Sequence, residues 1–256
     1  MTLLAVSVGN SHIVFGVHAR GSWIRRWRIQ TVSAKTADEY LAIMHALFAE
    51  AKISPGAVDA AILSSVVPPL VGALTETLMN LSGREPLLLT PKLDLGLRVT
   101  TENPAEVGAD LVANAVAAYD RFKRSCIVVD FGTALSFTAV AAPGELRGVA
   151  IAPGLASAVE SLARSTAQLP SVFLAPPPVA IGRNTVHSIQ AGIVFGYTGL
   201  VGDLVRRMRA ELGGEAAVIV TGGQAFIMAP LLGDGIEHEP WLTLEGLRFI
   251  AERNLR

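Results

Sequence analysis

The sequence predicts an α/β protein made of two related halves. Three observations lead there: a strand–turn–strand device that occurs twice, strand-type runs mixed with amphipathic helical stretches, and a length of 256 residues, enough for two modest cores. The device first occupies residues 4–15, an apolar run, a polar turn on Gly9-Asn10-Ser11-His12, and a second apolar run. It returns 123 residues later at 127–137, with Gly9 over Gly132, Asn10 over Thr133 and Ser7 over Asp130. An offset of about half the chain is what a duplicated domain leaves behind. The expected domains are residues 1–122 and 123–256.

The remaining elements follow from periodicity. Strands are expected at Leu3–Val8, 13–17, 23–29, 59–64 and 86–90. A helix fits 36–51, where Tyr40, Leu41, Met44, Leu47 and Phe48 form one apolar stripe and Thr36 with Glu39 makes a capping box. The second half repeats the order, with strands at 126–130, 136–140 and 146–151, helices near 155–166 and 186–212, and a strand at 217–221 ending on Gly222-Gly223. Residues 173–179, with three consecutive prolines, read as a loop. The last amphipathic stretch, about 243–253, is expected to be a helix packing back on the body.

Composition narrows the partners. Hydrophobic residues make up 51% and charged residues 17%, which places the chain among folded rather than disordered proteins. A formal net charge of -1 gives no electrostatic case for nucleic acid or an anionic membrane. The single cysteine, Cys126, cannot form an internal disulfide and reads as a small core residue. The N-terminus lacks a basic region, and no uninterrupted apolar run reaches about 18 residues. A cytoplasmic protein is therefore expected.

Five constellations bear on chemistry. A glycine-built turn between strands exposes several backbone N–H groups together, which suits a phosphate, though Gly-Asn and Asn-Ser also serve ordinary hairpins. Asp130 ends an apolar strand, where burying an unpaired carboxylate is costly; it reads as a cation ligand or as a cap on nearby N–H groups. Asn103 as N-cap, Pro104 at N1 and Glu106 at N3 predict a helix start. Gly108 in its opening turns, costing about 1 kcal/mol relative to Ala, implies that something approaches the backbone closely. Asp110 is either an acid favoured by the helix dipole or a general base. Residues 181–185 read as a capped entry to a long helix, and Gly222-Gly223 as a strand end open to a nucleotide.

These residues resemble the type III pantothenate kinases, of the actin, sugar kinase and Hsp70 ATPase superfamily. The resemblance runs through Val8-Gly9-Asn10-Ser11, Ser64-Ser65-Val66-Val67-Pro68, Asn103 to Asp110, Asp130-Phe131-Gly132-Thr133-Ala134, Ile151-Ala152-Pro153-Gly154 and Leu242 to Leu247. It implies two actin-like (ribonuclease H-like) α/β domains with the active site in the cleft between them. It implies phosphorylation of pantothenate by ATP with Mg²⁺ and a monovalent cation, K⁺ or NH₄⁺, in a homodimer, as the first step towards coenzyme A. By position, Asp110 would be the base and Asp130 the monovalent-cation ligand. ATP would meet Ser7, Gly9, Asn10, Ser11, His12, Gly132 and Thr133. Pantothenate would lie along Thr101, Gly108, Ala109, Asp110 and Leu111, with Thr185 reaching in from a second subunit. Apolar 191–200, with Gly192, Gly196 and Gly199, would be the interface helix or a buried core helix.

Three positions depart from the family pattern. Ser7 replaces an Asp of the first phosphate turn, Leu111 replaces an Arg that pairs with the pantothenate carboxylate, and Thr101 replaces a Tyr near the substrate. Arg98 and Arg183 are candidates to restore the lost charge. Three expectations follow: a working pantothenate kinase with a rearranged pocket, a silent homologue that binds or regulates, or a kinase for a less charged alcohol.

Overall fold

The computed structural model of the protein describes residues 1–255, and its contacts divide the chain into two units. The first holds Met1–Leu97, Glu102–Ala117 and the residues from Leu242 on; the second holds Arg98–Thr101 and Ala118–Trp241.

In the first unit β1 (Leu3–Val8), β2 (His12–Ala19) and β3 (Ser22–Gln30) form a meander. Helix α1 (Ala37–Glu50), β4 (Ala60–Ser65), α2 (Pro68–Ser82) and the short β5 (Leu87–Leu88) follow. The sheet order is β3-β2-β1-β4-β5, with β1 antiparallel to β2 and parallel to β4. Alternation along β1 sends Leu4, Val6 and Val8 into a core with Tyr40, Met44 and Phe48 of α1 and Leu70, Leu74 and Leu78 of α2. Each such buried side chain contributes roughly 1.5–3 kcal/mol. Trp27 stacks between Phe15 and Phe48, with ring centroids 5.1 and 5.5 Å away. The expected capping box at Thr36 and Glu39 is present. Helix α2 lacked a side-chain cap to announce it; it starts on two prolines at its first positions instead.

The second unit takes in the short strand β6 (Arg98–Val99), while α3 (Ala109–Phe122) starts in the first unit and runs on past Ala117. Then come β7 (Cys126–Phe131), β8 (Ala134–Ala141), β9 (Glu145–Pro153), α4 (Leu155–Ser165) and α5 (Thr185–Glu211). β10 (Ala217–Thr221), the one-turn α6 (Ala225–Met228) and β11 (Ile236–His238) complete it. Its sheet order is β11-β10-β7-β8-β9-β6. Without β6 this is the first sheet again, strand for strand, read from the other edge. Duplication is therefore a property of the topology as well as of the turns. Ile127, Val129 and Phe131 join Val218 and Val220 and the α4 and α5 residues Leu155, Val159, Ile189, Val194 and Val201 in one core. Helix α5 is long and apolar enough to cross a membrane by length and composition, yet this stripe is packed inside the unit. Cys126 is fully buried, and burial pushes its thiol up to about 12.

One expected boundary is overturned. Asn103 and Pro104 do not start the long helix. They open a single 3₁₀ turn, Pro104–Glu106, after which Val107 is extended, and α3 begins only at Ala109. Asn103 gives its side chain to Glu106 Oε1 at 3.1 Å rather than to a backbone N–H, so no cap forms there.

The last helix, α7 (Leu242–Asn254), packs on β1, β2 and β4, and its Gly246 meets α3 so closely that an added Cβ would run into the Ala113 carbonyl. Gly72, in α2, has nothing within 4 Å of that position. Gly246→Ala is therefore expected to lose about 3 kcal/mol to overpacking, and Gly72→Ala to gain up to about 1 kcal/mol of helix propensity. Urea denaturation of both variants checks this; equal midpoints would contradict the packing.

Candidate active site

The two glycine turns sit at the ends of the central strands. In the first unit Gly9 N–H donates to the His12 carbonyl at 3.0 Å, and the Thr31 hydroxyl donates to the Gly9 carbonyl at 2.7 Å. In the second, Gly132 N–H donates to the Ala134 carbonyl at 3.1 Å. Register shows how the copies differ. Ser7 lies opposite Val14, but Asp130 lies opposite Ser136, so the second turn is one residue shorter. The offset seen in sequence therefore holds up to the glycine and drops by one after it.

On the parallel side, Ser7 pairs in register with Ser64 and Asp130 with Thr221. Each pair points away from the core that the alternate residues of its strand enter. Ser7 is 4% exposed, and the Ser64 hydroxyl beside it is buried with no hydrogen-bond partner. That strand end is thus neutral, with an unsatisfied donor. The sequence places Ser64 in a block shared with the resembled family but gives it no role, because a serine at a strand end carries no chemical pattern of its own.

The Asp130 end is charged and crowded by backbone. Gly222, at φ +97, passes so close that a side chain there would strike Asp130 Oδ1 and the Phe131 backbone. Only glycine accepts both that conformation and that approach. The backbone N–H of Gln224 donates to the Phe131 carbonyl at 3.1 Å, and the Ser157 hydroxyl to the Thr133 carbonyl at 3.0 Å. A half-buried carboxylate at a strand end is a residue type that can bind a cation. Among the described residues no three His, Cys, Asp or Glu gather as a metal site.

Gly108, Ala109, Asp110 and Leu111 lie together at the start of α3. Gly108 is its cap residue, accepting from Val112 N–H at 3.1 Å. The close approach expected at Gly108 comes from within the chain: an added Cβ would lie 2.7 Å from Asp110 Oδ1 and 3.7 Å from Val66 Cγ1. The carboxylate folds back over its own turn, where Leu111 N–H donates to Oδ1 at 2.8 Å. Burial raises the Asp110 pKa, partly opposed by the backbone N–H groups of Leu111 and of Asp110 itself. A carboxyl so tuned suits a general base.

The other expected residues are more dispersed in role. Asn10, Ser11 and His12 are exposed at their turn, and partial burial followed by the charge of Arg28 holds the His12 imidazole below its ordinary value. Thr133 is exposed. Thr101, in the second unit, has a buried hydroxyl without a partner. Asn184 caps α5 by accepting from His187 N–H at 2.8 Å, which leaves Thr185 exposed at the first helical position. Arg98 is already engaged by Glu145, while Arg183 is exposed. Leu111 is half-buried and brings no charge.

A family model of type III pantothenate kinases matches residues 3–207. The chain belongs to this family. A type III pantothenate kinase of Pelobacter propionicus is 46% identical over 98% of this chain and 99% of its own length. One from Geobacter sulfurreducens is 44% identical over the same shares. Among solved structures, a Campylobacter jejuni protein described as a Baf family transcriptional activator superposes with a TM-score of 0.62 at 17% identity, covering 97% of each chain. MreB 5 of Spiroplasma citri bound to AMPPNP gives 0.56 at 10%, over 98% of this chain and 96% of that one. These likenesses establish the actin-like fold. Type III pantothenate kinases are phosphotransferases of coenzyme A synthesis that act on pantothenate with ATP and a divalent metal.

The raised pKa of Asp110 has a sign that can be tested. The folded protein keeps this proton to higher pH than the unfolded chain, so the stability it contributes is full below the ordinary value of 3.8 and declines as pH rises through the folded pKa. Asp110→Asn is expected to raise the melting temperature near neutral pH and to bring no gain once the wild-type carboxyl is protonated. Calorimetry across pH checks this; a neutral-pH melting temperature below wild type would contradict it.

Proposed function

We propose that the chain phosphorylates the primary hydroxyl of pantothenate with ATP, as a kinase with one charged strand end instead of two. The observation that carries this reading is the survival of the Asp110 carboxyl at the start of α3 and of Asp130 at the end of β7, beside a neutral Ser7 and Leu111. Asp110 accepts the hydroxyl proton as the alcohol oxygen attacks the γ-phosphorus, and ADP leaves. Each of the two units contributes one nucleotide-contacting turn, the first at Gly9–His12 and the second at Gly132–Thr133. Asp130 holds a monovalent cation, K⁺ or NH₄⁺. Bound with ATP, Mg²⁺ supplies charge neutralisation of the phosphates, with no help from the Ser7 hydroxyl. Thr101, Gly108, Ala109 and Leu111 line pantothenate, and Thr185 enters from the second subunit of a homodimer. The exposed apolar residues Phe173, Ile181 and Val186 around the start of α5 support that dimer, as do Gly192, Gly196 and Gly199 on its exposed face. The reading places the enzyme in the cytoplasm.

Leu111 leaves the substrate carboxylate without a cation, a loss of about 2–5 kcal/mol. That corresponds to roughly 30-fold to several thousand-fold in affinity, so pantothenate should saturate only at millimolar concentration or above. A catalytically silent protein is the second reading, favoured by the buried neutral Ser7 beside the unsatisfied Ser64.

ADP release with Mg-ATP and K⁺, with and without pantothenate, decides between them. Pantothenate-dependent release that falls at least about 100-fold in Asp110→Asn is the expected outcome. No release by the wild type at millimolar pantothenate, with release gained by the Ser7→Asp plus Leu111→Arg double variant, establishes the silent reading. Preference for pantetheine over pantothenate would reassign the acceptor to a neutral alcohol.

A further inference from the structure

The candidate base has a support that the reaction itself does not explain. Asn114 lies one helical turn beyond Asp110 on the same side of α3 and is fully buried. Its Oδ1 accepts a 2.7 Å hydrogen bond from the Thr243 hydroxyl, in the first turn of α7, across 129 positions of sequence. Three residues on, Gly246 makes the close approach to Ala113 described above. Thr243 and Gly246 share a face of α7, and they meet consecutive residues of α3. The seam therefore combines one backbone-close contact with one directional hydrogen bond.

Helix α7 is itself well fixed. Leu244, Leu247, Ile250 and Ala251 are buried, and Glu245 accepts from the Trp23 indole N–H at 2.6 Å. At the far end Asn254 and the Asp94 backbone exchange two hydrogen bonds of 2.9 and 3.0 Å. An anchored helix can serve as a reference for a neighbour. Apolar contact resists separation of two helices but only weakly resists rotation of one about its axis. A buried amide held by a hydroxyl resists rotation, because turning away breaks a directional hydrogen bond. Rotating α3 moves Asp110 directly, and misplacement by about 1 Å is enough to cost on the order of 100-fold in rate.

We infer that Thr243 is a positioning residue for phosphoryl transfer: through Asn114 it sets the rotation of α3 and so the place of the Asp110 carboxylate. This rests on Asp110 being the base. Thr243→Val keeps the shape and removes the hydroxyl, while Thr243→Ser keeps the hydroxyl. In steady-state kinetics Thr243→Val is expected to lower kcat by about tenfold, with KM for ATP within about twofold of wild type, and Thr243→Ser to restore kcat. A kcat within about twofold of wild type in Thr243→Val, or equal losses in both variants, would overturn the inference.

Hydrogen exchange at the amides of residues 111–113 provides a reading independent of turnover. Thr243→Val should speed it by about tenfold, with a smaller effect at α2; unchanged exchange overturns the positioning role. An inactive wild-type protein whose Thr243→Val variant exchanges faster at α3 would remove the kinase reading and keep the mechanical link.

Discussion

Each sheet of this protein is organised by one strand hydrogen-bonded on both sides, antiparallel to its hairpin partner and parallel to a strand that returns through a helix. That double pairing fixes which residues face the helical core and which face away. In β1 it sends Leu4, Val6 and Val8 inward and leaves Ser7 beside Ser64; in β7 it sends Ile127, Val129 and Phe131 inward and leaves Asp130 beside Thr221. A shift of one residue in either strand would turn the polar pair into the apolar core and carry the core residues to the opposite face. The core and the site are thus two faces of the same hydrogen-bond register, and neither can move without the other.

The duplication makes the electrostatic difference between the halves easy to locate. Topology, turn position and flanking strands correspond, yet one strand end carries a carboxylate and the other two hydroxyls. An ionised group in a site of low polarity interacts over a longer range than a hydroxyl dipole. The Ser7 hydroxyl therefore offers a contact without the field that Asp130 supplies at the matching place. Asp110 itself gains its properties from burial and from the turn it folds over.

Much of this was legible in the sequence because it rests on local signals. The strands of both meanders, the capping box of α1 and the Asn184 cap of α5 all follow from side chains acting within a few residues. The glycine turns were visible because they occur twice. What escaped was decided at longer range. Asn103-Pro104 has the chemistry of a helix start, but the chain turns extended at Val107 and α3 starts at Gly108-Ala109. At Gly108 the sequence signals a close approach but not its source, which is the Asp110 carboxylate. The Ser64 hydroxyl and the Thr243–Asn114 pair needed strand register and helix packing to appear, since their partners are far away in sequence.

Cys126 begins β7, the strand that ends on Asp130, and it is the only thiol in the chain. Thiol reagents attack the thiolate, and a fully buried group pushed up to about 12 offers almost none at neutral pH. Its alkylation must wait until the strand leaves the sheet. The sequence thus contains its own clock for the opening of the charged half, wound by the same burial that hides the sulfur, and needs no added probe to be read.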